Sequence, residues 1–363
     1  MEDLVESCFN GTFASKRVLL TGHTGFKGSW LALWLQQLGA EVTGLSLAPD
    51  TEPAHWSFLN LTGQHFAQDV CDAGAVREIV DKVKPELVLH LAAQPLVRQS
   101  YTDPITTWQT NVMGTVNVLE ACRLQRSVRA VIAVTTDKVY DNTETGIAFT
   151  EQQPLGGHDP YSASKAACEL VVQSYRRSFF ASGGPLLASA RAGNVIGGGD
   201  WAAERLIPDV VRACHASSAL VIRSPNAVRP WQHVLDSLSG YLLLAAELLR
   251  GRQELACSWN FGPAQSDSKT VLDVLTLMQH HWPELCWQSD NTPAQWHEAG
   301  LLRLDTSKAG QLLQWQPIWN VSQAAEKTAL WYQAFYQQQQ LLTQQQLQNY
   351  IADARHQGAV WTN

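Results

Sequence analysis

The stretch TGHTGFKG at residues 21–28 decides the fold, since it places a glycine at every third position between a short apolar run and a helical pattern. In that context Gly22 makes the tight turn, Gly25 lets the backbone approach a diphosphate, and Gly28 lets the helix pack on the strand. The first turn of the helix then offers unpaired N–H groups to the anion. A purely structural turn is the alternative, but the strand–turn–helix setting favours a dinucleotide site. The predicted cofactor contacts in this turn are Gly22, Thr24, Gly25, Phe26, Lys27 and Gly28.

Short apolar runs alternate with helix-length stretches through the first half of the chain. This rhythm predicts a parallel sheet covered by helices on both faces, an α/β fold with a doubly wound Rossmann sheet. We predict strands at 16–21, 42–47, 65–70, 87–91, 130–135 and 186–191, and helices at 29–38, 74–83, 106–124 and 161–180.

The pattern changes near residue 193, where Trp, Pro and His become frequent. We therefore predict a dinucleotide-binding Rossmann domain at 1–193 and a smaller C-terminal substrate-binding domain at 194–363. A strand-like run near 255–262 is expected to return to the first sheet. The chain ends in a Gln-rich segment, which we predict to be a solvated helix or tail.

The composition excludes several classes of function. The 363 residues carry 26 Lys plus Arg against 33 Asp plus Glu, a net charge of −7, so no basic face is available for nucleic acid. The seven cysteines form no C-x-x-C pair, and we predict buried thiols in a reducing compartment. An acidic N-terminus unlike a secretory signal, and no apolar run long enough to cross a bilayer, predict a cytoplasmic protein with no membrane partner. No metal site is predicted.

The second and third strands bear on the choice of cofactor. An acidic residue about twenty positions after the glycine turn normally holds the adenosine ribose and selects NAD. Here the second strand ends in SLAP at 46–49, so Asp50 either takes that role or is an ordinary loop residue. No Arg stands there for a 2′-phosphate, and NAD is therefore the predicted cofactor. Asp69 and Val70 suit a carboxylate and an amide that hold adenine.

Tyr161 and Lys165 stand four residues apart, so a helix places one above the other on a single face. A phenol with a pKa of about 10 is a poor base at neutral pH. A nearby cation stabilises the phenolate, so Lys165 and an oxidised nicotinamide are expected to lower the pKa of Tyr161 and prepare it to take a hydroxyl proton. Alone, such a spacing is more often a surface pair; after a phosphate-binding turn it is far more specific.

Together these motifs resemble the extended short-chain dehydrogenase/reductases over about residues 16 to 320. The resemblance is carried by the glycine turn, LAA at 91–93, NVMGT at 111–115 and YSASK at 161–165. It implies that the sheet binds NAD(P) and that the C-terminal part binds a nucleotide-diphospho sugar. Thr136 would then hydrogen-bond the sugar 4-hydroxyl while Tyr161 removes its proton. The further cofactor contacts that it implies are Leu91, Ala92, Ala93, Thr135, Tyr161 and Lys165.

The residues after Thr136 separate the branches of that family. Sugar 4-epimerases lack an acid there, whereas Asp137 would protonate a leaving 6-hydroxyl, so the chain resembles the nucleotide-diphosphoglucose 4,6-dehydratases. Asp137-Lys138 in place of Asp-Glu resembles the branch that acts on CDP-glucose rather than dTDP-glucose. The implied reaction oxidises C4, eliminates water across C5–C6 and returns the hydride to C6. Lys138 is either the base at C5 or a cation that orients Asp137, since a free lysine is protonated at neutral pH.

The resemblance also assigns residues to the sugar nucleotide. Asn194 would contact phosphate or sugar, and Arg205 and Arg229 would bind the diphosphate, unless they are ordinary surface arginines. His297 could read the base edge. His233 is expected to be a packed or hydrogen-bonding histidine.

The resemblance also bears on the oligomeric state and on the possible functions. Family members commonly pair through the helices at 106–124 and 161–180, so a homodimer is expected, with Ala166, Leu170 and Val171 either in the seam or against the sheet. The rival functions are another nucleotide-sugar dehydratase, a 4-epimerase, or a non-catalytic NAD-binding sensor or scaffold. The presence of Tyr161, Lys165 and Asp137 argues against the last of these.

Overall fold

The computed structural model describes residues 8–222, 224–289 and 300–363. Its centre is a seven-stranded, wholly parallel sheet with the order β11-β6-β5-β4-β1-β2-β3, which confirms the predicted doubly wound α/β fold. The strands are β1 (Arg17–Thr21), β2 (Glu41–Ser46), β3 (Gln64–Ala67), β4 (Leu87–His90), β5 (Ala130–Val134), β6 (Leu186–Ala192), β7 (Val195–Ile196), β8 (Leu220–Ile222), β9 (Val228–Arg229), β10 (Gln232–His233), β11 (Ser258–Phe261), β12 (Lys269–Thr270) and β13 (Trp287–Ser289).

Helices cover both faces of this sheet, because the strand side chains alternate between two apolar cores. Val18 and Leu20 of β1 join the larger core, while Leu19 between them joins the smaller one. The helices are α1 (Phe26–Gln37), α2 (His55–Phe58), α3 (Ala73–Val83), α4 (Val97–Thr102), α5 (Pro104–Trp108), α6 (Gly114–Leu124), α7 (Pro160–Tyr175), α8 (Leu206–His215), α9 (Val234–Leu249), α10 (Val271–His281), α11 (Ser307–Leu312), α12 (Val321–Gln338) and α13 (Thr343–His356).

The single helix predicted at 106–124 is instead interrupted by a π-helical turn at Gln109–Met113 between α5 and α6. This turn brings the buried Asn111 inward, where its side chain accepts from the Gln94 amide at 2.9 Å and donates to Ser164 Oγ at 2.9 Å. A second π-helical turn, Arg176–Phe180, ends the helix predicted at 161–180. Local π-helical turns of this kind re-aim side chains, and hydrophobic periodicity does not reveal them.

The second half of the chain both extends the sheet and builds a smaller layer at its carboxyl edge. Strand β11 returns to the main sheet and pairs with β6, with Ser258 opposite Ser189. Three two-stranded ladders, β7 with β10, β8 with β13 and β9 with β12, lie outside it. A boundary at residue 193 between two domains stays a prediction.

The prediction of a solvated Gln-rich end is correct for most of the glutamines but wrong for the helix that carries the second group. Residues 337–340, Gln344 and Gln345 are exposed, whereas Gln346 is buried. Helix α13 buries one face, formed by Thr343, Gln346, Leu347, Tyr350, Ile351 and Ala354, at the three- and four-residue spacing of an amphipathic helix. The glutamine composition concealed an apolar stripe that packs on the main core.

The cysteine prediction is correct in part. None of the seven cysteines is in a disulfide bond in the described structure, but only Cys8, Cys122 and Cys168 are buried, whereas Cys71 and Cys286 are exposed. Among the described residues, no helix combines the length and the apolar character needed to span a bilayer.

Candidate active site

A cleft of about 1330 Å³ opens at the carboxyl ends of the parallel strands, where this fold places ligands. Its volume exceeds the roughly 300–1,000 Å³ of a pocket for one small ligand, so it has room for a dinucleotide and a second ligand together. Its walls include every described residue that the sequence assigned to catalysis, cofactor or substrate: Gly22, Thr24, Gly25, Phe26, Lys27, Gly28, Asp69, Val70, Leu91, Ala92, Ala93, Thr135, Thr136, Asp137, Lys138, Tyr161, Lys165, Asn194, Arg205 and Arg229. His297 lies outside the described residues.

The glycine turn between β1 and α1 fits a dinucleotide diphosphate. A Cβ on Gly28 would stand 2.1 Å from the Gly22 carbonyl oxygen, so only glycine lets α1 pack this close to the turn. Gly25 differs, because a Cβ there would meet only that same oxygen, at 3.4 Å, and the residue is exposed in the cleft. Gly25 also caps α1, whose first N–H groups therefore point toward the cleft.

We expect Gly25→Ala to weaken NAD binding about 100-fold and to leave the melting temperature unchanged. The backbone at Gly25 has a φ of −76°, which alanine adopts freely, so the added methyl group obstructs only the approach of the diphosphate. Gly28→Ala should instead destabilise the fold by about 2 kcal/mol or more, through its clash with Gly22. Calorimetric NAD titration and thermal melts test both, with Gly74→Ala as the control because a Cβ there meets only an Asp72 oxygen at 3.4 Å. Equal NAD affinity in Gly25→Ala would contradict this assignment.

The adenosine end of the cleft has no carboxylate at the tip of β2. Ser46 ends the strand, and its hydroxyl lies 2.7 Å from that of Thr24, which also donates to the Leu47 carbonyl at 3.0 Å. These bonds tie the glycine turn to β2. Asp50 lies in the exposed rim of the cleft, and Asp69 accepts from the Cys71 amide at 2.9 Å.

Tyr161 and Lys165 lie buried on one face of α7, as the spacing predicts. The helix begins with Pro160 and a capping box in which Asp159 and Ser162 bond reciprocally, so the first turn that carries Tyr161 is rigidly placed. Lys165 Nζ donates to the Val134 carbonyl at 3.2 Å, which fixes its ammonium at the end of β5.

The expected lowering of the Tyr161 pKa is not found in the protein alone. Burial raises the pKa of Tyr161 to about 12, and this outweighs the lowering by a hydrogen bond with Thr136 and by the charge of Arg205. Burial also lowers the pKa of Lys165, which weakens the cation that was expected to assist. A positively charged nicotinamide at this site would lower the pKa of Tyr161, whereas burial raises it.

Thr136, Asp137 and Lys138 form the turn that follows β5, the 3₁₀ helix Asp137–Val139 capped by Thr136. The Thr136 hydroxyl donates to Asp137 Oδ1 at 3.0 Å. Asp137 Oδ2 is buried and has no hydrogen-bond partner among the described residues. Burial raises the pKa of Asp137, which favours its protonated form. Lys138 is half-buried in the wall of the same cleft.

A close approach of backbone keeps that carboxyl in the cleft wall. A Cβ on Gly193 would stand 3.1 Å from Asp137 Oδ2 and 2.4 Å from Pro230 Cγ. Gly193 therefore leaves just enough space for the Asp137 side chain between β6 and the segment before β10. A buried polar atom without a hydrogen-bond partner is unfavourable, and its presence beside a ligand-sized cleft therefore indicates a functional role. For a carboxyl group that is protonated more readily than usual, that role is proton donation.

Lys27 makes a contact with a distant residue that was not predicted from the sequence. Its Nζ lies 3.5 Å from the hydroxyl of Tyr241, a fully buried residue of α9. Burial, with help from Arg205, lowers the pKa of Lys27 to about 7. Tyr241 occupies the most apolar window of the chain, so no feature of the sequence distinguishes its hydroxyl from core packing.

The two predicted diphosphate arginines already have partners. Arg205 NH1 bonds to Asp200 Oδ2 at 2.9 Å, and Arg229 NH1 donates to the Val228 carbonyl at 3.0 Å. His233 is fully buried beside Trp319, at 4.8 Å between ring centroids, and its Nδ1 accepts from the Leu235 amide at 3.3 Å. It is the packed histidine that was expected.

Comparison with known proteins identifies the family. Residues 18–258 match the model of the NAD dependent epimerase/dehydratase family. The CDP-glucose 4,6-dehydratase of Salmonella typhimurium is 44% identical over 90% of this chain and 93% of its own length. The dTDP-glucose 4,6-dehydratase of Haemophilus influenzae is 28% identical over 87% of this chain and 97% of its own length.

A solved structure shares the fold. The dTDP-glucose 4,6-dehydratase double mutant from Streptomyces venezuelae, solved with NAD, superimposes with a TM-score of 0.74 at 24% identity, covering 87% of this chain and 97% of that one. The resemblance inferred from the glycine turn and the Tyr161–Lys165 pair is confirmed, and NAD is the cofactor. This chain belongs to the NAD dependent epimerase/dehydratase family.

Proposed function

We propose that this protein is a CDP-glucose 4,6-dehydratase, a hydro-lyase that converts CDP-glucose to CDP-4-keto-6-deoxyglucose. The observation that carries the proposal is the buried Asp137, which lines the cleft that also holds Tyr161 and the glycine turn and has one carboxylate oxygen with no hydrogen-bond partner among the described residues. An epimerase has no use for an acid there, because it breaks no C–O bond. The 44% identity to a CDP-glucose 4,6-dehydratase supports CDP over other nucleotides.

Oxidation at C4 is the first step. Tyr161 takes the proton of the 4-hydroxyl, with the Thr136 hydroxyl beside it to hold that oxygen. Lys165, fixed by the Val134 carbonyl, supplies positive charge that stabilises the Tyr161 phenolate before it takes this proton. The glycine turn would hold NAD, which would supply the acceptor for the C4 hydride and the donor that returns it to C6.

Loss of water is the second step. The C4 ketone acidifies the C5 hydrogen, which Lys138 removes as a base; if Lys138 is instead a cation that orients Asp137 or a water, a water molecule takes this proton. When the hydride later reaches C6, a proton is returned to C5. Asp137 gives its proton to the 6-hydroxyl, the C6–O bond breaks and water departs. Burial suits Asp137 to this role because it keeps the carboxyl protonated at a higher pH than an ordinary aspartate.

The sugar nucleotide would be held at the side of the cleft away from the glycine turn. We assign Asn194 to the sugar or phosphate, and Arg205 and Arg229 to the diphosphate, where planar guanidinium groups bind two oxygens at once. Asp200, which also lines the cleft, binds the Arg205 guanidinium at 2.9 Å. His297 is assigned to the base edge.

A panel of sugar nucleotides tests the proposal. Purified protein is incubated with NAD and with CDP-, dTDP-, UDP- or GDP-glucose, and the product is identified by mass and NMR. We expect a 4-keto-6-deoxy product, formed fastest from CDP-glucose. Formation of the C4 epimer without loss of water would replace the proposal with an epimerase, and a faster reaction of another nucleotide would correct the substrate.

We also propose that the protein acts in the cytoplasm as a homodimer. Seven free cysteines suit a reducing compartment. Leu170 on α7 is 58% exposed, whereas Ala166 is buried and Val171 packs partly on the smaller core, so Leu170 is the seam candidate that faces outward. Residues 104–124 and 160–180, which include the two predicted seam helices, carry five more of the exposed large apolar side chains: Ile105, Trp108, Met113, Leu124 and Phe179.

We expect Leu170→Glu combined with Met113→Glu to convert the dimer to a monomer, because both replace exposed apolar contacts with charges that an interface would desolvate. Analytical ultracentrifugation of the double variant measures the change. Leu272→Glu on α10, where the side chain is 39% exposed, is the matched control and should stay dimeric. A wild-type protein that sediments as a monomer would contradict the proposal.

A further inference from the structure

One buried ion pair lies beneath the catalytic residues and is assigned no role in the reaction above. Glu169 of α7 and Arg191 of β6 bond twice, at 2.9 Å between Oε1 and Nε and at 2.8 Å between Oε2 and NH2. Their side chains are only 1% and 3% exposed. Two parallel charge-assisted bonds fix the relative orientation of both groups, which a single contact would not do.

The pair holds the residue that precedes the acid-bearing turn. Thr135 Oγ1 donates to Glu169 Oε1 at 2.5 Å. The Thr135 amide donates to the Ala190 carbonyl of β6 at 2.9 Å. Both bonds fix the point at which β5 ends and the Thr136–Asp137 turn begins.

The same pair holds the residue that follows the turn. Arg191 NH1 donates to the Tyr140 hydroxyl at 2.8 Å, and that hydroxyl donates to Asn260 Oδ1 at 2.6 Å. The Tyr140 ring stacks on Phe149 with 4.8 Å between centroids. The short turn Asp137–Val139 is therefore fastened at both ends to one ion pair.

Glu169 also connects that turn to the other half of the chemistry. It lies four residues after Lys165 and eight after Tyr161, so all three occupy one buried face of α7. Tyr161 and Lys165 lie on α7, whereas Asp137 lies in the turn after β5. Glu169 shares the helix face of the first two residues, and the Glu169–Arg191 pair makes hydrogen bonds on both sides of that turn. A shift of either segment would have to break bonds to this pair.

We propose that the Glu169–Arg191 pair is a positioning element that sets Asp137 at a fixed distance from Tyr161 and Lys165, so that oxidation at C4 and loss of the 6-hydroxyl occur on one bound sugar without its movement. This inference rests on the proposed dehydratase function. Its consequence is specific: loosening the turn slows elimination more than oxidation, because Asp137 lies inside the turn, whereas Tyr161 and Lys165 stay on their own helix and only Thr136 of the oxidising group belongs to the turn. A misplacement of about 1 Å can cost about 100-fold in rate.

The test variants remove the hydrogen bonds that join the turn to the ion pair and leave the ion pair itself in place. Replacing Glu169 or Arg191 leaves its partner as an unpaired buried charge and destabilises the whole chain. Tyr140→Phe keeps the ring and its stacking on Phe149 but removes the bond from Arg191. Thr135→Val keeps the side-chain shape but removes the bond to Glu169.

We expect Tyr140→Phe to lower kcat for the 4-keto-6-deoxy product about 10-fold, with KM for the sugar nucleotide unchanged. In rapid-mixing experiments, oxidation at C4 should lose less of its rate than elimination, so that reduced cofactor accumulates during turnover. Thr135→Val is the second variant; because Thr135 is also a predicted cofactor contact, it is assayed at saturating NAD and should show the same imbalance. Thr328→Val, which removes a buried hydroxyl on α12 that donates to the Ala324 carbonyl, is the control and should show none.

A kcat and a level of reduced cofactor equal to wild type in Tyr140→Phe and Thr135→Val would overturn the inference. So would an equal loss of oxidation and elimination, because that is the result of a merely structural role. Both outcomes require a wild-type enzyme that makes the 4-keto-6-deoxy sugar. If the wild type makes none from any donor, the proposed function fails instead.

Discussion

Tyr161→Phe is expected to lower turnover by about 10³-fold or more while NAD still binds with wild-type affinity. The variant keeps the buried ring on α7 and loses only the oxygen that takes the 4-hydroxyl proton. General-base catalysis contributes about 10²–10⁴-fold in enzymes, and the hydrogen bond with Thr136 places the Tyr161 oxygen beside the residue assigned to the 4-hydroxyl. Steady-state assays with CDP-glucose and calorimetric titration with NAD measure the two quantities separately.

The matched control is Tyr175→Phe on the same helix. Its hydroxyl bonds to Glu120 at 3.3 Å, on a part of α7 that does not line the cleft. We expect it to retain wild-type turnover. Normal turnover in Tyr161→Phe would remove the phenol from the mechanism, and loss of NAD binding would mean that the substitution disturbs the cofactor site itself.

Asp137→Asn is expected to retain oxidation at C4 but to eliminate water about 10²–10³-fold more slowly. Asparagine has nearly the same shape, and it can still accept from Thr136, but it has no acidic proton for the leaving hydroxyl. Reduced cofactor should therefore build up on the enzyme, which its absorbance reports. Asp81→Asn, a change at an exposed aspartate of α3, is the control and should turn over normally. Full dehydration by Asp137→Asn would refute the acid role.

The pH dependence of elimination gives an independent check on Asp137. Burial raises its pKa in the folded protein, and the reaction needs the protonated form. The elimination rate should thus be level at low pH and fall as pH rises through that raised pKa, at a higher pH than for an ordinary aspartate. A rate that does not fall as pH rises through this range would contradict the role of Asp137 as the acid.

The parts of the site that the sequence predicts are the local ones. The glycine turn and the Tyr161–Lys165 spacing each lie within one strand–turn–helix or one helix, so their geometry follows from backbone regularity. Asp137-Lys138 could be predicted for the same reason, since it lies in the turn that follows β5.

The parts that the sequence does not predict depend on contacts between distant segments. Glu169 meets Thr135 across 34 positions, and Lys27 meets Tyr241 across 214. Neither contact leaves a pattern along the chain. The raised pKa of Tyr161 was missed for a related reason, because its main cause is burial by the assembled fold rather than the neighbouring lysine.

Helix α13 shows a signal that was present and was overlooked. Leu347, Tyr350, Ile351 and Ala354 recur at the helical spacing, but the glutamines between them suggested a solvated tail. Periodicity of the apolar positions, rather than the average composition of the segment, decides whether a helix packs on a core.

The fate of the C4 hydrogen tests the central claim most directly. CDP-glucose that carries deuterium at C4 is incubated with the wild-type enzyme and NAD, and the product is examined by NMR. Because one bound sugar is oxidised, dehydrated and reduced in the same cleft, the deuterium should appear in the C6 methyl group of the 4-keto product. Deuterium found at C4 of a hexose that has not lost water, or a product that keeps its 6-hydroxyl, would contradict the account.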